Sequence, residues 1–194
     1  MKALRGWVQK VVRPIALTLA GWGITANMVT IAAFFLNAGV ALVIALGYEQ
    51  WGGLLVLVVG AMDTLDGAIA RATNTVTRFG AFLDSNLDRY SEAVIFLGIV
   101  VLYSQNPDQK PDSTIIVALT YVAAVGSFMV SYARARAQGL GLDCEVGLLP
   151  RPERVLILGL GLLTGLVLPA LAILALLTNL TALQRIWYIR QKTR

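Results

Sequence analysis

Residues 51–72 read WGGLLVLVVGAMDTLDGAIARA, an apolar run in which two aspartates, Asp63 and Asp66, follow the most hydrophobic part. A transmembrane helix needs about 20 mostly apolar residues, and this stretch has that length. Charged side chains inside such a segment are costly and usually functional. The stretch therefore predicts a membrane helix with a functional site toward one of its ends.

The composition of the whole 194-residue chain agrees with a membrane protein. Hydrophobic residues make up 57% of it and charged residues 14%, which argues against both a soluble enzyme and a disordered chain. The chain has no histidine and one cysteine, Cys144, so it lacks histidine-based catalysis, internal disulfides and cysteine clusters for zinc. A metal site would have to use oxygen ligands, which suit Mg²⁺, Mn²⁺ or Ca²⁺.

Further apolar segments predict an all-α integral membrane protein with six transmembrane helices in a single domain, residues 1–194. Pro169 divides the last apolar segment, which is too long for one crossing. The predicted spans are 29–47, 51–72, 80–103, 113–138, 152–168 and 169–190. Glycines in the fifth span, among them Gly159 and Gly161, permit close helix packing.

The basic residues predict the orientation. Residues 2–20 alternate basic and apolar side chains at helical spacing, which predicts an amphipathic helix on the membrane surface. With six spans, all 16 Lys and Arg except Lys110 lie on the side that holds both termini. The positive-inside rule then places both termini and the site cavity on the cytoplasmic side of the membrane. The net charge of +5 thus indicates basic loops rather than a nucleic-acid partner.

Acidic and small residues form two stripes at helical spacing on the second and third predicted helices. The first stripe consists of Asp63, Asp66, Gly67, Ala70 and Arg71, and the second of Gly80, Asp84 and Asp88. A short linker, 73–79, would make these helices antiparallel neighbours with their carboxylates face to face. Four converging carboxylates repel one another unless cations neutralise them, so one or two Mg²⁺ or Mn²⁺ ions are expected there.

The small and basic members of the stripes fit a phosphate ligand. Gly67 and Gly80 would let a large ligand approach the backbone. Ala70 has a small side chain that leaves space on the same helix face, and Arg71 would provide a cation for a diphosphate. Two metal ions suit a phosphoryl displacement. The alternative is that these acids form structural ion pairs with Arg71 or Arg89, which leaves four acids in register unexplained.

The pattern Asp63-x2-Asp66-Gly67-x2-Ala70-Arg71-x8-Gly80-x3-Asp84-x3-Asp88 resembles the signature of the CDP-alcohol phosphotransferases at all eight positions. The resemblance implies transfer of a phosphoryl-alcohol group from a CDP-linked lipid to an acceptor hydroxyl, with release of CMP. It implies a metal pair held by Asp63, Asp66, Asp84 and Asp88, with Asp88 also the general base. It implies a homodimer, and CDP contacts from Asp66, Gly67, Ala70, Arg71, Gly80, Thr77, Thr25 and Asn27.

Five arginines on the predicted cytoplasmic side suggest what the acceptor is. They are Arg134, Arg136, Arg151, Arg154 and Arg185. Guanidinium groups bind a dianionic phosphate at two points, so a cluster of them predicts a phosphorylated polyol as acceptor. The alternative is ordinary positive loop charge in contact with lipid headgroups.

Within the family, segments 131–137 and 151–154 resemble the prokaryotic phosphatidylinositol-phosphate synthases and the archaeal archaetidylinositol-phosphate synthases. This implies inositol phosphate as acceptor and CDP-diacylglycerol or CDP-archaeol as donor. Arg134 stands where some of these enzymes have lysine, so glycerol 3-phosphate stays open as the alternative acceptor. A divalent-cation transporter is an alternative of another class, but the acids lie toward one side of the membrane and the sequence shows no internal repeat. A non-catalytic assembly protein would leave the motif unexplained.

Overall fold

The structure, a computed structural model, describes residues 14–62, 64–105 and 112–193. All regular secondary structure within these ranges is helical, which confirms the predicted all-α class. A short helix, α1, covers residues 14–21. The other helices are α2 (Ala26–Ala45), α3 (Glu49–Met62), α4 (Thr64–Ala72), α5 (Arg78–Gln105), α6 (Ser113–Gly139), α7 (Arg151–Thr164) and α8 (Val167–Lys192).

Four helical segments are long and apolar enough to cross a membrane: Ala26–Ala45, Glu49–Ala72, Ser113–Gly139 and Val167–Lys192. The chain is therefore a multi-pass membrane protein. α5 has 28 residues but carries all its charged residues between Arg78 and Glu92, and α7 has 14 residues, fewer than a crossing needs. Six crossings thus stay a prediction.

The helices pack closely through glycines. A Cβ atom on Gly98 of α5 would lie 2.5 Å from the carbonyl oxygen of Ala41 in α2, and one on Gly53 of α3 would lie 2.6 Å from that of Gly159 in α7. Ile44 and Ile99 are fully buried beside the first contact. Larger side chains would separate these backbones, as expected for small residues at helix interfaces in lipid.

The break between α7 and α8 lies earlier than predicted. α7 ends at Thr164 and is capped by Gly165, whose φ of +76° is readily adopted only by glycine. α8 begins at Val167, so Pro169 lies in its first turn rather than at the break. A proline is tolerated there because the first N–H groups of a helix have no intrahelical partner. The predicted boundary at 168/169 was therefore wrong by a few residues.

The predicted surface helix, residues 2–20, is described only in part, since residues 2–13 lie outside the described ranges. Residues 14–21 are helical. Ile15 and Leu17 are about half exposed and Ala16 is buried, so this turn has one face against the protein and one away from it. Its position on the membrane surface stays a prediction.

Candidate active site

A cavity of about 300 Å³ lies between the first turns of α2, helix α4 and the start of α5. α4 and α5 are joined by the short linker 73–77, which brings the two predicted stripes onto one cavity. Eight of the predicted metal and nucleotide residues line it: Asn27, Asp66, Gly67, Ala70, Arg71, Thr77, Gly80 and Asp84.

The carboxylate of Asp66 is held in one orientation. The hydroxyl of Thr30, a buried residue of α2, donates to Asp66 Oδ2 at 2.8 Å, and the N–H of Gly67 donates to Asp66 Oδ1 at 2.6 Å. The sequence analysis missed Thr30. It lies one helical turn after Asn27 in an otherwise apolar stretch, and this spacing was the available signal.

Both glycines of the pattern make room for polar side chains at the cavity wall. A Cβ atom on Gly80 would lie 3.0 Å from Thr77 Oγ1 and 3.1 Å from Asn27 Oδ1. A Cβ atom on Gly67 would lie 3.1 Å from Arg71 Nη1. Alanine at either position would therefore crowd a side chain that the sequence predicts to contact CDP.

The two predicted threonines occupy helix starts. The Thr77 hydroxyl accepts from the N–H of Gly80 at 2.9 Å at the start of α5, and Thr25 caps α2 by accepting from the N–H of Met28 at 3.3 Å. Thr25 lines an adjoining cavity of about 340 Å³, which shares Asn27 and Thr77 with the first. The positive ends of two helix dipoles thus meet at this wall, where a diphosphate would be favoured.

The predicted metal ligands are divided in the structure. Asp66 and Asp84 line the cavity, whereas Asp88 lies one turn further along α5 and Asp63 lies outside the described residues. Within the described ranges, no three acidic or cysteine side chains form a ready metal cluster. Carboxylate oxygens on one cavity, in a chain without histidine, nevertheless suit Mg²⁺ or Mn²⁺.

Asp88 forms ion pairs with two arginines. Its Oδ1 lies 2.9 Å from Nη1 of Arg151 at the start of α7, and its Oδ2 lies 3.5 Å from Nη1 of Arg89. Arg89 also donates to the Ser85 carbonyl at 2.6 Å. The Asp88–Arg89 ion pair, the structural alternative, is thus present. Its distance is longer than that of the Asp88–Arg151 pair, which joins α5 to α7.

The five predicted acceptor arginines have different surroundings. Arg134 and Arg136 are exposed on the last turns of α6, whereas Arg154 and Arg185 are buried. Arg185 donates to the backbone carbonyls of Val146 and Val130.

Arg154 binds an acid that the sequence analysis did not single out. Its Nε and Nη2 donate to the two carboxylate oxygens of Glu92 at 2.9 and 3.2 Å. Glu92 follows Asp88 by four residues and Asp84 by eight, so it continues the acidic stripe of α5. The four-residue spacing from Asp88 to Glu92 was visible in the sequence. Glu92 was not predicted because the pattern used for the metal site has four acids and its last member is Asp88.

The chain belongs to the CDP-alcohol phosphatidyltransferase family, whose pattern it matches over residues 23–187. It is therefore a transferase of phospholipid biosynthesis, as the resemblance implied. Family membership favours an enzyme over the cation-transporter alternative.

Two relatives with names that indicate a function are similar over nearly the whole chain. Archaetidylinositol phosphate synthase of Pyrococcus horikoshii is 33% identical over 193 residues, covering 99% of this chain and 97% of the relative. Phosphatidylinositol phosphate synthase of Mycobacteroides abscessus is 34% identical over 189 residues, covering 93% and 84%.

Crystal structures of the phosphatidylinositol phosphate synthase of Mycobacterium tuberculosis have the same fold. The structure with CDP-DAG bound superimposes with a TM-score of 0.83 at 30% identity, covering 91% of this chain and 92% of that one. The complex with manganese and citrate superimposes with a TM-score of 0.81 at 32% identity, covering 90% and 87%.

Proposed function

We propose that the protein transfers the phosphatidyl-type group of a CDP-linked lipid, CDP-diacylglycerol or CDP-archaeol, to a hydroxyl of inositol phosphate and releases CMP. The observation that carries the proposal is the placement of Asp88 between two features. On one side is the cavity that holds the family pattern, and on the other is the basic start of α7. Relatives named as inositol phosphate synthases support the acceptor, and a relative solved with CDP-DAG supports the donor.

The 300 Å³ cavity and its neighbour are the proposed donor site. Arg71 and the starts of α2 and α5 would attract the diphosphate, while Gly67 and Gly80 leave space for it. Asn27, Thr77, Ala70 and Thr25 would contact the remainder of the CDP group. Lipid chains need only an apolar surface, which the exposed side chains of Met28, Ile31 and Phe35 on α2 offer.

The proposed cofactor is Mg²⁺ or Mn²⁺, as two ions held by Asp63, Asp66, Asp84 and Asp88. Such ions, when bound, would neutralise the charge that develops on the departing CMP. A solved relative in complex with manganese supports this assignment. Thr30 contributes by keeping one oxygen of Asp66 in a fixed direction, which reduces the ordering needed when a cation binds.

Asp88 is the proposed general base on the acceptor hydroxyl, and Arg151 the proposed contact to the acceptor phosphate. A guanidinium has five N–H donors, so Arg151 can bind a phosphate while it still touches Asp88. The acceptor would then be anchored beside the base, and most of the rate enhancement would come from positioning. Arg134, Arg136, Arg154 and Arg185 would add positive charge around the phosphate.

The topology is proposed as predicted: six crossings, both termini and the cavity mouth on the cytoplasmic side, and a homodimer in a prokaryotic cell membrane. A cytoplasmic opening suits a water-soluble acceptor, because inositol phosphate carries a charge that cannot cross lipid unaided. The basic residues near the site agree with this side.

An acceptor screen tests the proposal. Purified protein would be given CDP-diacylglycerol, Mg²⁺ and one of four acceptors: inositol phosphate, glycerol 3-phosphate, serine or inositol. We expect CMP release that is fastest with inositol phosphate and lost on chelation of the metal. Faster release with glycerol 3-phosphate would establish the alternative acceptor, and release only with serine or inositol would refute a phosphorylated acceptor.

A further inference from the structure

Two ion pairs connect α5 to α7 in matching register. Asp88 and Glu92 lie four residues apart on α5, and their partners Arg151 and Arg154 lie three residues apart on α7. Since three or four residues make one helical turn, the pairs stack one above the other. We call Asp88–Arg151 and Glu92–Arg154 the α5–α7 ion pairs.

The two helices approach each other through these long side chains. Within the described ranges, no Cα atom of α5 lies within 8 Å of one of α7. A cavity of about 40 Å³ lies beside these pairs and is lined by apolar side chains together with Asn37, Ser91, Glu92, Arg151 and Arg154. α7 is held by its packing against α3 and α8, and the two ion pairs link its first turn directly to α5.

The second pair is the more buried one. The side chain of Arg154 is 4% exposed and that of Glu92 11%, against 27% and 17% for Arg151 and Asp88. Glu92 binds Arg154 at two points, which fixes the plane of the guanidinium. Buried, two-point pairs hold their geometry better than single exposed contacts.

Arg154 also contacts the segment that leads into α7. Its Nη1 lies 3.5 Å from the carbonyl oxygen of Leu149, two residues before Arg151. The N–H of Leu149 donates to the buried hydroxyl of Thr181 on α8. Leu149, two residues before the start of α7, is thus held from two sides, and Glu92 fixes one of the two side chains that hold it.

We infer that Glu92 is a positioning residue for the acceptor site: by orienting Arg154 it places the start of α7 so that Arg151 reaches both Asp88 and the acceptor phosphate. This inference rests on the proposed function. Glu92 does not touch the reacting atoms and lies two turns beyond Asp84 on α5, so its removal should weaken acceptor binding while the donor site, formed by α2, α4 and the start of α5, keeps its affinity.

Kinetics of Glu92→Gln and Glu92→Asp test the inference. Glutamine removes the charge, and aspartate keeps it but is too short for the same two-point contact. We expect the KM for inositol phosphate to rise about tenfold in Glu92→Gln and less in Glu92→Asp, because one charge-assisted contact is lost. The KM for CDP-lipid should change less than about twofold in both.

Glu49→Gln is the matched control. Glu49 accepts a hydrogen bond from Tyr103 at 3.1 Å, at the other end of α5 from Asp88. We expect both KM values of this variant to match the wild type. A fall in kcat alone, or equal rises in both KM values of the Glu92 variants, would overturn the positioning role.

Direct binding and the wild-type assay separate this inference from the proposed function. Calorimetric titration with inositol phosphate should show an affinity loss of about tenfold in Glu92→Gln and a smaller loss in Glu92→Asp, and wild-type affinity in both variants would overturn the inference. If the wild type uses no phosphorylated acceptor, the proposed function fails. If the wild type uses one and Glu92→Asp and Glu92→Gln bind it normally, only the positioning role fails.

Discussion

Asp88 Oδ1 and Arg151 Nη1 lie 2.9 Å apart and join the acidic stripe of α5 to the basic start of α7. This contact places the proposed phosphate-binding cation beside the proposed base. The pair should therefore be judged by acceptor binding as well as by rate.

Replacement of Asp88 by asparagine should remove the proposed base while preserving size. We expect CMP release to fall by at least about 100-fold, the usual contribution of a general base, with CDP-lipid binding retained. Asp112→Asn is the matched control, since Asp112 is exposed at the start of α6 with φ +65°, a conformation that asparagine also adopts. Normal turnover by Asp88→Asn would show that another group accepts the proton.

Replacement of Arg151 by alanine should weaken the acceptor site specifically. We expect the KM for inositol phosphate to rise about 10- to 100-fold, with the KM for CDP-lipid within about twofold, because a charged hydrogen bond to the phosphate is lost. The KM of Arg151→Lys for inositol phosphate should lie between those of the wild type and Arg151→Ala, since lysine keeps the charge but not the planar guanidinium. Arg190→Ala, at an exposed arginine near the end of α8, should have no effect. Equal changes in both KM values would contradict an acceptor contact.

Replacement of Thr30 by valine tests the support of Asp66. Valine keeps the shape but loses the hydroxyl that donates to Asp66 Oδ2, so we expect the Mn²⁺ concentration for half-maximal activity to rise severalfold, up to about tenfold. Paramagnetic resonance of bound Mn²⁺ should show the same loss of affinity. Thr120→Val is the control, because this buried hydroxyl on α6 donates to the Ile116 carbonyl. Unchanged Mn²⁺ affinity in Thr30→Val would mean that Asp66 is oriented without Thr30.

Gly98→Ala and Gly39→Ala test the α2–α5 interface. A Cβ atom on Gly98 would lie 2.5 Å from the backbone oxygen of Ala41, whereas one on Gly39 would meet no atom within 4 Å. We expect Gly98→Ala to lower the free energy of unfolding by about 1–3 kcal/mol through overpacking. Gly39→Ala should be neutral or stabilising by up to about 1 kcal/mol, since alanine favours the helix. Thermal unfolding in detergent measures both, and equal melting temperatures would contradict the close packing.

The helices and the family could be predicted from the sequence because both depend on local patterns. Apolar runs of membrane length determine helix positions, and fixed spacing along two adjacent helices brings Asp66, Gly80 and Asp84 to one cavity. The end of α7 could not be located in the same way. Glycine and proline can each end a helix, so the sequence offers both Gly165 and Pro169 as the break. Only the three-dimensional fold shows that the helix ends at Gly165.

Contacts between distant helices were beyond prediction. Thr30 lies 36 residues from Asp66, and Glu92 lies 62 residues from Arg154, so neither pairing leaves a periodic signal. Arg185 is predicted to contact the acceptor phosphate, and the sequence did not indicate that its guanidinium also donates to the backbone carbonyl of Val146. Which arginine binds a ligand and which supports a loop depends on packing that charge patterns do not encode.

The brevity of α7 has a consequence for how the acceptor arrives. Fourteen residues at 1.5 Å each span about 21 Å, whereas the oily layer of a bilayer is about 30 Å thick. If α7 crosses the membrane as proposed, this hydrophobic mismatch would favour a bilayer that is thinned or hydrated beside it. A water-filled opening would then extend to Arg151. A sugar phosphate could reach the membrane-bound donor there without losing its hydration shell in the hydrocarbon core.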